Sequence, residues 1–315
     1  KTCATCHEGA TDAFAAYPVH ADPHDKVAWP QLYWPEFAMR WLIYLTMGVM
    51  GVHTLLWLHR GLRERKAIHA ACASRSGRWY RRWPPVYRTL HLTLVVSFLL
   101  LAVTGIPIRF HGESWAAWLT SALGGPTVMR FLHRVGAVLT AVYFGGYLFH
   151  LVLRIARREK GLFTGPDTML PRWKDVLDVR DHVRWFLRGG ERPKFERWTY
   201  WEKFDYWAVF WGVAVIGISG LIMWFPIAAT SVLPAWAINL AHAIHSHEAL
   251  LAVSFIFTFH FFHSNLRPGK FPLDPMFLTG VVSEEELKFE HRAEWERMAA
   301  DGRLEREALP PPDPA

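Results

Sequence analysis

The sequence predicts an all-α membrane protein with five transmembrane helices: a four-helix bundle, one further helix before it, and a short segment outside the membrane at the N-terminal end. Three observations predict this. Hydrophobic residues make up 51% of the 315 residues, and 17 residues are tryptophan, an aromatic excess that suits the lipid–water boundary. The apolar residues gather in five runs, each able to cross about 30 Å of hydrocarbon at about 1.5 Å per residue. The charged residues gather between those runs, so the net charge of +7 reads as topology and gives no nucleic-acid face.

The runs are Trp41 to Leu58, Thr89 to Ile108, Val135 to Leu153, Tyr206 to Phe225, and about Val232 to His263. The first four contain no Asp, Glu, Lys or Arg. The fifth carries Glu248 and five histidines, which a lipid-facing helix does not tolerate, so its polar side must face protein or cofactor inside the bundle. Lys and Arg fix the sidedness. Segments 59–88 and 154–203 hold 9 and 13 of them, whereas 1–36 and 109–130 hold two each and 226–240 none. By the positive-inside rule the first group is cytoplasmic, with the N-terminus outside and the C-terminus inside.

The chain divides accordingly into an outer segment 1–36, a first membrane helix 37–60, a cytoplasmic loop 61–88, the bundle 89–265 and a cytoplasmic, charged and partly helical tail 266–315. Within the bundle, the cytoplasmic loop 157–203 contains WKDVLDVRDHVRWFLR, residues 173–188, whose helical alternation of apolar and charged positions predicts an interfacial amphipathic helix ending at Gly189-Gly190. Two short echoes, Thr104-Gly105-Ile106-Pro107 in the second span and Ser219-Gly220 ahead of Trp224-Phe225-Pro226 in the fourth, suggest a duplicated helix pair.

The outer segment opens with KTCATCH. Cys3 and Cys6 followed by His7 form the C-x-x-C-H signature, in which two thioethers hold a haem c and the histidine takes one axial position. A zinc site would need two further ligands at similar spacing, and the remaining cysteine, Cys72, lies far off in an arginine-rich stretch. Haem c is attached on the outer side of the bacterial cytoplasmic membrane, which independently places the N-terminus outside. The missing initiator methionine suggests that a signal sequence, or a longer N-terminal part, has been removed. His20 and His24 are the candidates for the sixth ligand, with His24 preferred.

Histidines inside the membrane are costly unless they have a task. His91 enters the second span from the inner side, and His133 enters the third from the outer side. On the fifth span His245 and His260 are 15 residues apart, roughly 22 Å along an α-helix and about 60° around it. These levels predict two bis-histidine haem b sites, His133 with His245 and His91 with His260. His242, His247 and His263 remain rivals on the fifth span. His53 and His150 lie in the inner half as candidates for a quinone contact, a further haem or simple core positions.

The run His91 to Gly105, the His133-Arg134 opening, KFERWTYWEKFDYWAVFWG, SGLIMWFP and IHSHEALLAVSFIFTFHFFHSNLRP resemble the di-haem membrane cytochrome b of formate dehydrogenases and nickel–iron hydrogenases. They are most similar to quinone-linked inner-membrane cytochromes in which this domain is fused to a c-type haem segment, a joint that HADPHDK and GVHTLLWLHR also resemble. The likeness covers about residues 14–280. It implies a four-helix core with haem ligands at His91, His133, His245 and His260, and a quinone site beside the inner haem. His53, His150, His263 and Asn265 surround that place, and a menaquinone-type quinone is expected there, with ubiquinone the other choice.

The expected function is electron transfer between the membrane quinone pool and periplasmic c-type partners, a multihaem cytochrome or redox enzyme subunits, as a quinol-oxidising subunit in the inner membrane. A membrane anchor that passes electrons from a periplasmic dehydrogenase or hydrogenase to quinone is the first alternative. A structural anchor of a multihaem complex without quinone turnover is the second. No nucleotide loop, serine triad or paired carboxylates suggest soluble catalysis.

Overall fold

The computed structural model describes residues 9–19, 21–73 and 77–312. Among these, five helices are long and apolar enough to cross a membrane, as expected. After a short α1 (Asp12–Ala15), the spans are α2 (Pro30–Arg63), α4 (Pro85–Arg109), α6 (Gly125–Ala156), α8 (Tyr200–Trp224) and α10 (Ala237–Phe255) with its continuation to Leu266. Between them lie α3 (Arg65–Cys72), β1 (Trp79–Arg81), α5 (Ser114–Ala122), α7 (Trp173–Arg188) and α9 (Pro226–Thr230). The tail folds as α11 (Met276–Thr279), β2 (Val281–Ser283), α12 (Glu284–Glu290), α13 (Arg292–Ala300) and α14 (Arg303–Arg306).

Leu45, Val52 and Leu55 on α2 and Val138, Val142 and Phe149 on α6 are each more than half exposed, which is the surface that lipid covers. The fifth span differs: 33% of it is buried inside the protein, against 11% or less for each of the others. This is the expected home for its polar side chains.

The helices start earlier than the uncharged runs, for local reasons. Proline opens α2 and α4, where its missing N–H costs nothing. In α8, Thr199 and Glu202 form a reciprocal cap: the Glu202 carboxylate accepts from the Thr199 backbone and hydroxyl at 2.8 and 2.6 Å, and the Glu202 N–H meets the Thr199 hydroxyl at 3.4 Å. The cap moves the start of this helix from Tyr206 to Tyr200 and brings Tyr200 and Asp205 onto it.

The fifth span departs from a plain α-helix. It begins at Ala237, not near Val232, and passes into π-helical turns at Ile256–His260 and Phe262–Leu266. A π turn takes about 4.4 residues, so each residue advances the helix less than in the α form. The 60° offset expected between His245 and His260 on an unbroken α-helix therefore does not hold.

The chain forms two compact units. One comprises the residues up to Val49, Leu101–Arg134 and Val209–Ile256; the other comprises Met50–Leu100, Val135–Ala208 and the residues from Phe257 onward. In the first unit, Asn239 on α10 donates to the Pro18 carbonyl at 3.2 Å and ties the N-terminal segment to the helix. The Arg109 guanidinium donates to Ser246, and Arg134 lies over the Trp224 ring at 5.1 Å.

In the second unit, Trp57, Trp185, Phe186, Phe195, Trp201 and Phe262 build an aromatic core. Its presence changes the reading of α7. Asp178, His182, Trp185 and Phe186, at helical spacing, are buried against protein, while Trp173 and Leu187 stay exposed at 74% and 66%. The helix is amphipathic as expected, with one face in the core and not simply laid on lipid. The tail is likewise docked. β1 and β2 pair antiparallel with Tyr80 opposite Val282, a small ladder that hydrophobic periodicity did not announce. Glu294 is 2% exposed and bound by Arg82 and, at 2.8 Å, by Arg197; the two guanidinium groups hold its carboxyl down at about 2 against the burial that opposes them. Glu290 is held by Arg192 and Arg267, each at 2.9 Å.

Candidate functional site

Each unit contains one pair of histidines whose rings face one another. In the first unit the rings of His133 on α6 and His245 on α10 have centres 6.3 Å apart and planes inclined at 64°. Their surroundings repeat. Thr104 Oγ1 lies 2.9 Å from His133 Nδ1, and the next residue, Gly105, is so close that a Cβ there would stand 3.1 Å from His133 Cε1. Ser219 Oγ lies 3.2 Å from His245 Nδ1, and a Cβ on Gly220 would stand 3.2 Å from His245 Cε1. The two sequence echoes are thus a hydroxyl that holds a ring nitrogen and a glycine that makes room for the ring. Thr104 and Ser219 are 0% and 4% exposed.

The hydrogen bonds assign the tautomers. His245 Nδ1 is 3.0 Å from the Ile216 carbonyl, which only accepts, so the proton sits on Nδ1 and Nε2 keeps its lone pair. The Ser219 hydroxyl donates to the Val215 carbonyl at 2.6 Å and the Thr104 hydroxyl to Leu101 at 3.3 Å, so each oxygen can accept from its histidine.

In the second unit the rings of His91 on α4 and His260 have centres 6.4 Å apart, inclined at 43°. His260 Nδ1 is 3.0 Å from Asp205 Oδ2, again placing the proton on Nδ1. His91 Nδ1 is buried without a partner, and its ring is flanked by Trp83 and Phe277 at 5.1 and 6.1 Å.

The same unit holds a third group of rings. His53 Nε2 is 2.5 Å from the Tyr200 hydroxyl, and that hydroxyl is 2.8 Å from His182 Nδ1. His263 lies 5.8 Å from His53, and both of its nitrogens are buried without a partner, as are His53 Nδ1 and His182 Nε2. Burial, with Arg192 nearby, pushes His182 well below the ordinary histidine value, so it is neutral. The Trp57 indole stands 5.7 Å from His53 and 5.2 Å from His263, beside both rings.

Of the other residues that the sequence singled out, Cys3, Cys6, His7 and His20 lie outside the described residues. His24 is exposed, with Nδ1 3.4 Å from the Arg40 guanidinium and 3.8 Å from Glu36. His247 donates from Nδ1 to the Ala243 carbonyl at 2.9 Å, and His242 lines a pocket of about 120 Å³ with Tyr17, Pro23 and Asn239, so neither belongs to a facing pair. His150 packs 5.5 Å from Tyr87. Asn265, in the second π turn, donates to the Ser264 hydroxyl at 2.8 Å and accepts from the Asp274 N–H at 3.4 Å. Sequence reasoning missed His182, Tyr200 and Asp205; the Thr199-x-x-Glu202 cap was the available signal for the last two.

A multi-pass helical membrane protein with facing, half-buried histidine pairs belongs, as a class, with the membrane haem proteins. The profile of the prokaryotic cytochrome b561 family matches residues 82–277, more than half of the chain and a stretch that contains all four paired histidines; the chain belongs to that family. The cytochrome b556 subunit of the nitrate-inducible formate dehydrogenase of Escherichia coli K12 is 23% identical over 168 residues, 53% of this chain and 69% of that protein. The same subunit of Shigella flexneri matches over the same shares.

Family membership implies haem b, and the residues fit it. With a metal–nitrogen bond of about 2 Å and each ring centre about 1 Å behind its nitrogen, two imidazoles on opposite sides of one metal have centres about 6 Å apart. Both pairs have this separation. Two facing imidazoles suit a metal whose remaining ligands come from a macrocycle.

Proposed function

We propose that the chain moves electrons between the quinone pool of the bacterial inner membrane and periplasmic c-type partners, as a quinol-oxidising subunit with its N-terminus in the periplasm. The observation that carries this reading is the pair of facing histidines repeated in two units at the separation a bis-histidine haem needs. His133 with His245 and His91 with His260 would hold two b haems. Cys3, Cys6 and His7 would attach one haem c, with His24 or His20 as its second axial ligand. When bound, these groups supply one-electron acceptor and donor sites.

The chain's own residues do the rest. Thr104, Ser219, the Ile216 carbonyl and Asp205 keep Nδ1 protonated on three of the four proposed ligands, which leaves each Nε2 lone pair available to a haem iron that these residues would hold. The quinone site is placed beside the His91–His260 pair, the part of the chain with titratable groups to spare. Quinol releases two protons with its two electrons, and neutral imidazoles are the acceptors suited to take them. His53, bonded through the Tyr200 hydroxyl to His182, offers a chain of such acceptors away from the lipid face. A third haem on His53 and His263 is not part of the proposal, because the Trp57 ring packs against both, with centres 5.7 and 5.2 Å away.

The formate dehydrogenase subunits among the relatives favour a second reading, an anchor that delivers electrons from a periplasmic dehydrogenase to quinone. Purified chain in liposomes, mixed with menaquinol or ubiquinol, tests the proposal. Rapid reduction of the b bands by one of them is expected. Bands that dithionite reduces and neither quinol does would leave only a structural anchor.

A further inference from the structure

The four proposed ligands do not have equivalent partners. His133 Nδ1 meets a hydroxyl, His245 Nδ1 a carbonyl and a hydroxyl, and His91 Nδ1 nothing. His260 alone among them meets a carboxylate, Asp205 Oδ2 at 3.0 Å. The second oxygen of Asp205 is buried and has no hydrogen-bond partner, so the group spends its hydrogen bonding on the histidine. Its place is secured from elsewhere: the Thr199–Glu202 cap starts α8 early enough to carry Asp205 as a helical residue facing His260.

We propose that Asp205 is a positioning and tuning residue that makes the His91–His260 site the lower-potential of the two b sites. The inference rests on the reading of His260 as a haem ligand. Its chemistry is general. A carboxylate that accepts Nδ1–H draws the proton toward itself and makes Nε2 a stronger electron donor, which favours the more oxidised metal. A negative charge held near the metal in a medium of low dielectric favours the more positive state in the same direction. A hydroxyl or a backbone carbonyl, the partners in the other pair, does neither to a comparable extent. The difference gives the chain a built-in potential step, with the lower site beside the proposed quinone site and the higher at His133–His245. That ordering drives electrons outward, away from quinol.

Optical redox titration of the full-length chain in nanodiscs tests this, with Asp205→Asn, Asp205→Glu and His260→Ala as variants. Asp205→Asn is expected to raise the lower of the two b midpoints and leave the higher where it is, while Asp205→Glu stays near the parent value. Unmoved midpoints in Asp205→Asn with both haems retained would overturn the proposal. If Asp205→Asn loses the haem, Asp205→Glu decides: a haem retained at the parent potential supports the role of the charge, and a lost or raised one refutes it. His260→Ala separates the two levels of the argument. Its loss of the low-potential haem sustains the ligand reading whatever Asp205 does, whereas retention of both haems removes that reading and the inference with it.

Discussion

Placing a methyl group at Gly105 tests the first-unit site through distances alone. A Cβ there would stand 3.1 Å from His133 Cε1 and 3.6 Å from Nδ1. Carbon atoms in ordinary contact are about 3.5–4.0 Å apart, a shortfall of roughly 0.4–0.9 Å. The ring cannot retreat freely, because Thr104 holds its Nδ1 at 2.9 Å and a metal–ligand distance tolerates only about 0.2 Å. Overpacking of this kind costs about 1–3 kcal/mol, which corresponds to roughly a 5- to 150-fold weaker hold on the haem. Gly220→Ala has the same logic, with contacts of 3.2 and 3.5 Å to His245. Gly217→Ala on the same helix is the control, since a Cβ there meets nothing within 4 Å and alanine is the better helix former by about 1 kcal/mol. The assay is the rate at which purified protein gives up haem b to apomyoglobin, together with the low-spin spectrum. Faster loss of one haem is expected from Gly105→Ala and Gly220→Ala, and none from Gly217→Ala. Unchanged rates and spectra in both of the first two would show that these glycines do not frame a haem ligand.

Other outcomes follow from the same structure. Glu294→Gln leaves the buried Arg82 and the half-buried Arg197 without their anion and should destabilise the docked tail by about 3–5 kcal/mol, read as a lower Tm by circular dichroism in detergent. Because Glu294 titrates at about 2 when folded and near 4.5 when free, its contribution of about 3 kcal/mol is complete above the free value and lost as pH falls toward the folded one; the Gln variant should show less of this acid sensitivity. Tyr200→Phe breaks the hydrogen bonds to His53 and His182 and should slow reduction by quinol at least about tenfold in stopped flow with haem content intact; a normal rate would exclude this path for the proton. Changing Cys3 and Cys6 to serine should remove the covalent haem from denaturing gels while the b bands persist.

The membrane helices were legible because they depend on coarse quantities: run length and absence of charge. The four facing histidines were legible for a related reason, since a polar ring in an apolar span needs a task and its depth limits its partners. What surrounds them was less so. Asp205 and Tyr200 lay outside the uncharged run chosen for the fourth span, and only the Thr199–Glu202 cap places them on its helix. His182 sits on a helix whose spacing reads as surface amphipathicity; its burial depends on Trp57 and Trp201, remote in sequence, packing 4.7 and 5.5 Å from its ring. The π turns around His260 carry no pattern in residue type that separates them from α-helix. The hydroxyl–glycine echoes were visible, and their meaning was not, until each was seen against its histidine.

The central claim is that two ring pairs hold two b haems. Non-covalent haem per chain, measured by the pyridine haemochrome assay after purification of the parent and of His91→Ala, His133→Ala, His245→Ala and His260→Ala, tests it most directly. Two b haems in the parent and one in each variant are expected, with His91→Ala and His260→Ala losing the same spectral component and His133→Ala and His245→Ala the other. Two haems retained in any of the four, or a loss that pairs His91 with His245, would contradict the account.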